Sequence, residues 1–164
     1  MATGILESPA RVLRQLLLDL GECVPPQQPN TAEKWQAHVN VEPNAPDEVV
    51  TVYNTTPVMD GRLMQDGTRL EKPGIQVRVR AAQDQVNGDG SQQPNSGHVK
   101  ARSICVALDG VYRERVTVNG VDYLVQEVAR STGVVPIGYE TPNSKRFVYT
   151  INLKFTVGLW PDGD

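Results

Sequence analysis

The chain has 164 residues, a net charge of −3, 39% hydrophobic and only 5% aromatic residues, which predicts one domain over residues 1–164 with a modest core. No basic run interleaved with aromatic residues occurs, which disfavours nucleic-acid binding as the main activity. No apolar stretch approaches the roughly 20 residues that cross a bilayer, and no charged region followed by an apolar run marks a secretory signal.

Ser8 followed by Pro9 is a helix start, with a capping hydroxyl and a proline at the first helical position. Leu13, Leu16, Leu17 and Leu20 repeat at helical spacing and Gly21 suits the C-terminal cap, so an amphipathic helix is expected over about residues 8–20. Residues 22–34 read as a surface connector. Strand character returns at 35–41, where Trp35, Ala37, Val39 and Val41 share one side until Pro43 and Pro46 end it. Residues 49–53 are apolar on both faces, as in a strand inside a sheet.

Residues 54–74 read as an irregular arm, with a short hairpin around Asp66 and Gly67. Pro73 and Gly74 then open a strand over 75–81, in which Ile75, Val77 and Val79 alternate with Gln76, Arg78 and Arg80. A polar loop is expected over 83–97. A second helix follows over about 96–109, with Ala101, Ile104, Cys105 and Leu108 on its apolar face and Lys100, Arg102 and Ser103 largely on others.

Asn119 and Gly120 between two apolar runs predict a hairpin with a type I′ turn, its outgoing strand reaching about Ala129. Residues 131–144 read as turns. The last strand, 146–157, places Phe147, Tyr149, Ile151, Leu153, Phe155 and Val157 on one face. This order predicts an α+β fold, a mixed and mainly antiparallel sheet with two helices packed on one face.

Chemistry-bearing residues are sparse. His38 faces outward from a strand and His98 starts a helix; neither sits in a catalytic motif. Cys23 and Cys105 make no disulfide framework or metal spacing, which fits folding in a reducing cytoplasm. Asp84, Asn87 and Asp89 are wrongly spaced for a calcium loop, and adjacent Asp47 and Glu48 read as a turn. Arg78 and Arg80 could hold a phosphate; the plainer expectation is a solvated sheet face or subunit contact, with Glu127 or Glu114 as cross-strand partners. No cofactor, metal or catalytic residue is expected. Charge is uneven along the chain, three Lys/Arg against eight Asp/Glu in residues 1–60 and ten against eight in residues 61–130. A subunit polarised this way suits front-to-back stacking with its own copies.

Taken in order, certain segments carry a resemblance. They are the N-terminal helix, Trp35 with the Pro43 and Pro46 exit, and the run Val49, Thr51, Val52, Tyr53, Asn54, Thr55. After them come Pro73, Gly74, Ile75, Gln76, Val77, Arg78, Val79, Arg80, then Lys100, Ala101, Arg102, Ser103, Ile104, and the final strand ending near Gly158, Leu159 and Trp160. The chain resembles, from about Ser8 to Trp160, the tail terminator or minor capsid proteins of long-tailed bacteriophages with non-contractile tails. It departs from them in the length of 83–97 and the polarity of 25–34.

The resemblance implies a non-enzymatic virion protein. It would form a six-membered ring at the head-proximal end of the tail tube, stop tube polymerisation and meet the head-side connector or stopper. Its partners would be its own copies, the tail tube protein and the connector. DNA would pass through without specific binding, no membrane would be involved, and assembly would occur in the host cytoplasm. Arg62, Arg69, Arg78, Arg80, Asp89, Arg113, Arg115 and Asn119 are the candidate subunit or partner interface. The alternatives are another head–tail connector or tail-tube component and, in a different class, a small ligand-binding domain or enzyme.

Overall fold

The structure is a computed structural model that describes residues 7–55, 58–62, 69–82, 88–91, 96–141 and 145–161, with only the backbone path given for 58–62 and 69–71. Helix α1 (Pro9–Asp19) opens as its sequence dictates, with the Ser8 hydroxyl accepting from the Arg11 N–H at 3.4 Å and Pro9 at the first position. It closes on Gly21, whose φ of +76° lets Gly21 N–H reach Leu18 O and Glu22 N–H reach Leu17 O, the paired bonds that satisfy the last carbonyls of a helix.

The strands are β1 (Cys23–Val24), β2 (Trp35–Val39), β3 (Val49–Asn54), β4 (Val58–Arg62), β5 (Arg69–Lys72), β6 (Gly74–Ala81), β7 (Tyr112–Val118), β8 (Val121–Arg130), β9 (Val135–Tyr139) and β10 (Phe147–Leu159); helix α2 (Gly97–Asp109) lies between β6 and β7. They form one sheet among the described residues, in the order β1-β2-β3-β6-β10-β5-β4. Strand β10 is its spine. One edge of β10 pairs with β6 and then β5, the other with β9 and then β8, and β7 pairs with β8. The β1–β2 and β2–β3 pairs are parallel and the rest antiparallel. The fold is therefore α+β with a mixed, mainly antiparallel sheet.

Both helices close one face of that sheet around a single apolar cluster. Register makes the cluster continuous: Val50, Val79 and Tyr149 stand in one row across three strands, and Val52, Val77 and Ile151 in the next. Each such side chain removed from water contributes about 1.5–3 kcal/mol. Helix α1 packs on β2, β3 and β7, and α2 on β6, β8 and β10. The start of α2 comes close to the sheet, because a Cβ on Gly97 would lie 2.8 Å from that of Ala81.

Several expectations are corrected. The 35–41 strand ends at Val39, because Asn40 turns into the left-handed region (φ 58°) and leaves Val41 exposed. The 22–34 connector contributes β1. The arm at 54–74 holds the antiparallel pair β4 and β5 on either side of Asp66 and Gly67, as the expected hairpin requires, but it is not otherwise irregular, since β5 extends the sheet along β10; residues 63–68 lie outside the described residues. The turn region 131–144 contains β9, which Pro136 and Gly138 concealed. Strand β10 runs on to Leu159, with a register break between Thr156 and Val157 where Gln126 of β8 is the extra residue. The Asn-Gly hairpin stands as expected, Val118 pairing Val121 across Asn119 (φ 51°) and Gly120 (φ 76°).

Candidate functional site

The face of the sheet opposite the helices carries the alternate residues of β3, β6 and β10, with Val49, Arg80 and Val148 in one row and Thr51, Arg78 and Thr150 in the next. The chain must cross from β2 to its parallel neighbour β3 through residues 40–48. The carbonyls at the base of that crossover need donors once covered. Arg80 supplies them: Nε donates to Asp47 O at 3.1 Å, and Nη2 donates to Pro43 O at 2.8 Å and Pro46 O at 2.7 Å. A guanidinium has five N–H groups in a rigid fork, which suits one group serving several acceptors.

Charge is balanced around this fork. Nη1 of Arg80 lies 3.4 Å from Glu42 Oε2 and 3.8 Å from Glu140 Oε1. Arg78 Nε stands 3.3 Å from Glu42 Oε1 without hydrogen-bond alignment. Arg146 grips the outside of the crossover, donating to Asp47 Oδ1 at 2.8 Å, Asn44 Oδ1 at 3.2 Å and Asn44 O at 2.6 Å. Three guanidiniums thus meet three carboxylates, from Glu42, Asp47 and Glu140, and the cluster has no surplus positive charge with which to hold a phosphate. Burial, then the Glu42 carboxylate, raises the nearby Tyr53 phenol, while burial and then the Arg14 and Arg80 charges depress the His38 imidazole.

A second polar anchor ties α2 to the connector. Lys100, 5% exposed, donates from Nζ to Glu33 O at 2.7 Å and to Glu22 O, and it pairs with the Glu22 carboxylate, which also accepts from Ser103 Oγ at 2.9 Å. Its placement corrects the expectation that Lys100 lies off the buried face. Cys23 beside it is buried, and that burial pushes its thiol up to about 12; burial also raises Cys105.

The candidate interface residues do not converge on one site. Arg78 and Arg80 share the crossover cluster, but Arg80 is 2% exposed, so it is not available to a partner. Their acidic partners are Glu42 and Glu140, not Glu127 or Glu114. Arg115 lies over the Trp160 ring at 4.3 Å, and Asn119 Nδ2 donates to Glu7 Oε1 at 2.7 Å. Arg113 is exposed on β7 with φ 52°. Asp89 accepts from both the N–H and the hydroxyl of Ser91, a local turn; Asp84 and Asn87 lie outside the described residues. Arg62 and Arg69 are register partners in the β4–β5 pair, with only their backbone described.

The sequence reading missed the exposed apolar side chains on the sheet margins. Tyr112 on β7, and Ile137 and Tyr139 on β9, are each at least 60% exposed. Tyr139 continues an aromatic row inward, 5.2 Å between centroids to Phe147, which is 5.0 Å from Tyr149, which in turn meets His98 edge-on at 5.7 Å. The local signal for β9 was the alternation of Val135, Ile137 and Tyr139, interrupted by residues that also make turns.

Among the described residues no three His, Cys, Asp or Glu side chains gather as metal ligands do, and no helix is long and apolar enough to cross a membrane. No family model matches the chain, and no curated protein matches it. Among solved structures, a chain whose name states no activity is similar over 77% of this chain and 81% of its own length, at 17% identity and a TM-score of 0.38. A likeness that distant carries no argument about function.

Proposed function

We propose that this protein is a structural ring subunit at the head-proximal end of a phage tail tube, where it ends tube growth and offers the surface for head attachment. The observation that carries the reading is the exposure of apolar side chains on two edge strands, Tyr112 on β7 and Ile137 with Tyr139 on β9, of a sheet whose core is already closed by two helices. A ring closes only through a heterologous contact, in which one patch of a subunit meets a different patch of the next. Exposed aromatic and aliphatic side chains on separate strands suit that role. The segment order that resembles tail terminator proteins supports it independently. Its partners on this reading are its own copies, the tail tube protein and the head-side connector, with DNA passing through the lumen ungripped.

Electron microscopy of particles assembled without this protein tests the proposal. Tails of uncontrolled length without heads are the expected result. Tails of normal length detached from filled heads would reassign the protein to head–tail joining, and normal virions would overturn a structural role altogether.

A further inference from the structure

We draw no further inference here: the strongest candidate, the cleft of about 280 Å³ between α2 and the 22–34 connector lined by Glu22, Glu33, Trp35 and Ser103, carries nothing because the buried Lys100 ammonium already fills the cation's place there, on the main-chain oxygens of Glu22 and Glu33 and the Glu22 carboxylate.

Discussion

Arg78 and Arg80 leave the same strand on the same face, yet their surroundings differ in kind. The Arg80 guanidinium is enclosed and serves the carbonyls of Pro43, Pro46 and Asp47, whereas the Arg78 side chain is 29% exposed and its contacts among the described residues are ion contacts to Glu42 and Glu140. Removing one partner from a buried charged network costs about 3–5 kcal/mol, against roughly 0–1 kcal/mol for an exposed pair. Arg80→Met should therefore lower the urea midpoint far more than Arg78→Gln. Equal midpoints for the two variants would place the cluster's contribution in its ion pairs and not in carbonyl capping. His38 offers a second residue-scale test. Its imidazole is depressed in the folded state, chiefly by burial, so the unfolded chain binds the proton more readily. The associated stability is present above the ordinary histidine range near 6.5 and is lost as pH falls through it. His38→Gln should show a smaller drop in Tm between pH 7 and pH 5 than the parent protein. An unchanged drop would remove His38 from the acid response.

At the scale of elements, two glycines make opposite demands. Gly97 stands in the first turn of α2, where alanine would ordinarily favour the helix by about 1 kcal/mol. Here an added Cβ would lie 2.8 Å from Ala81 Cβ and 3.1 Å from Tyr149 Cε2, and forcing helix and sheet apart costs about 1–3 kcal/mol. Gly97→Ala should thus destabilise despite the gain in propensity. Gly120 faces open space, and its φ of +76° is the only obstacle. Gly120→Ala should cost about 1–2 kcal/mol of left-handed strain and leave the core untouched. Thermal unfolding reads both, and near-UV circular dichroism separates them, since only Gly97→Ala disturbs the packing around Tyr149. Gly97→Ala at or above parental Tm would mean that the approach of α2 to β6 relaxes freely.

Across the whole molecule, two of the edge strands, β4 and β9, break register with their partners, while β7 pairs β8 in regular register. The shift in β4 lies between Val58 and Gly61, and Ile137 is the extra residue of β9 beside Pro136, which has no N–H to donate. Bulges and proline blunt an edge against strand addition, so on the proposed reading β4 and β9 contribute side chains and not a continued sheet. Ile137→Ser with Tyr139→Ser should leave far-UV circular dichroism parental and lower stability by only the Tyr139–Phe147 ring contact, about 0.5–1.5 kcal/mol, while removing ring formation on tail tubes seen by electron microscopy. Rings formed normally by the double variant would exclude β9 as a subunit contact.

Local patterns determined much of this protein unaided. The Ser8 and Pro9 start, the Gly21 stop, the Asn119–Gly120 turn and the alternation along β6 and β10 each rest on backbone chemistry within a few residues. Those signals also sufficed for the fold class. Which polar side chains are buried was decided by tertiary structure alone. Alternation assigns Arg78 and Arg80 to a face, but only the crossover at 40–48, distant in sequence, distinguishes the one it covers. Strand β9 likewise depends on its pairing with β10, since Pro136 and Gly138 read locally as turns. The physical reason is the same in both cases: burial and pairing are properties of what lies opposite a residue, and a linear pattern records only its neighbours.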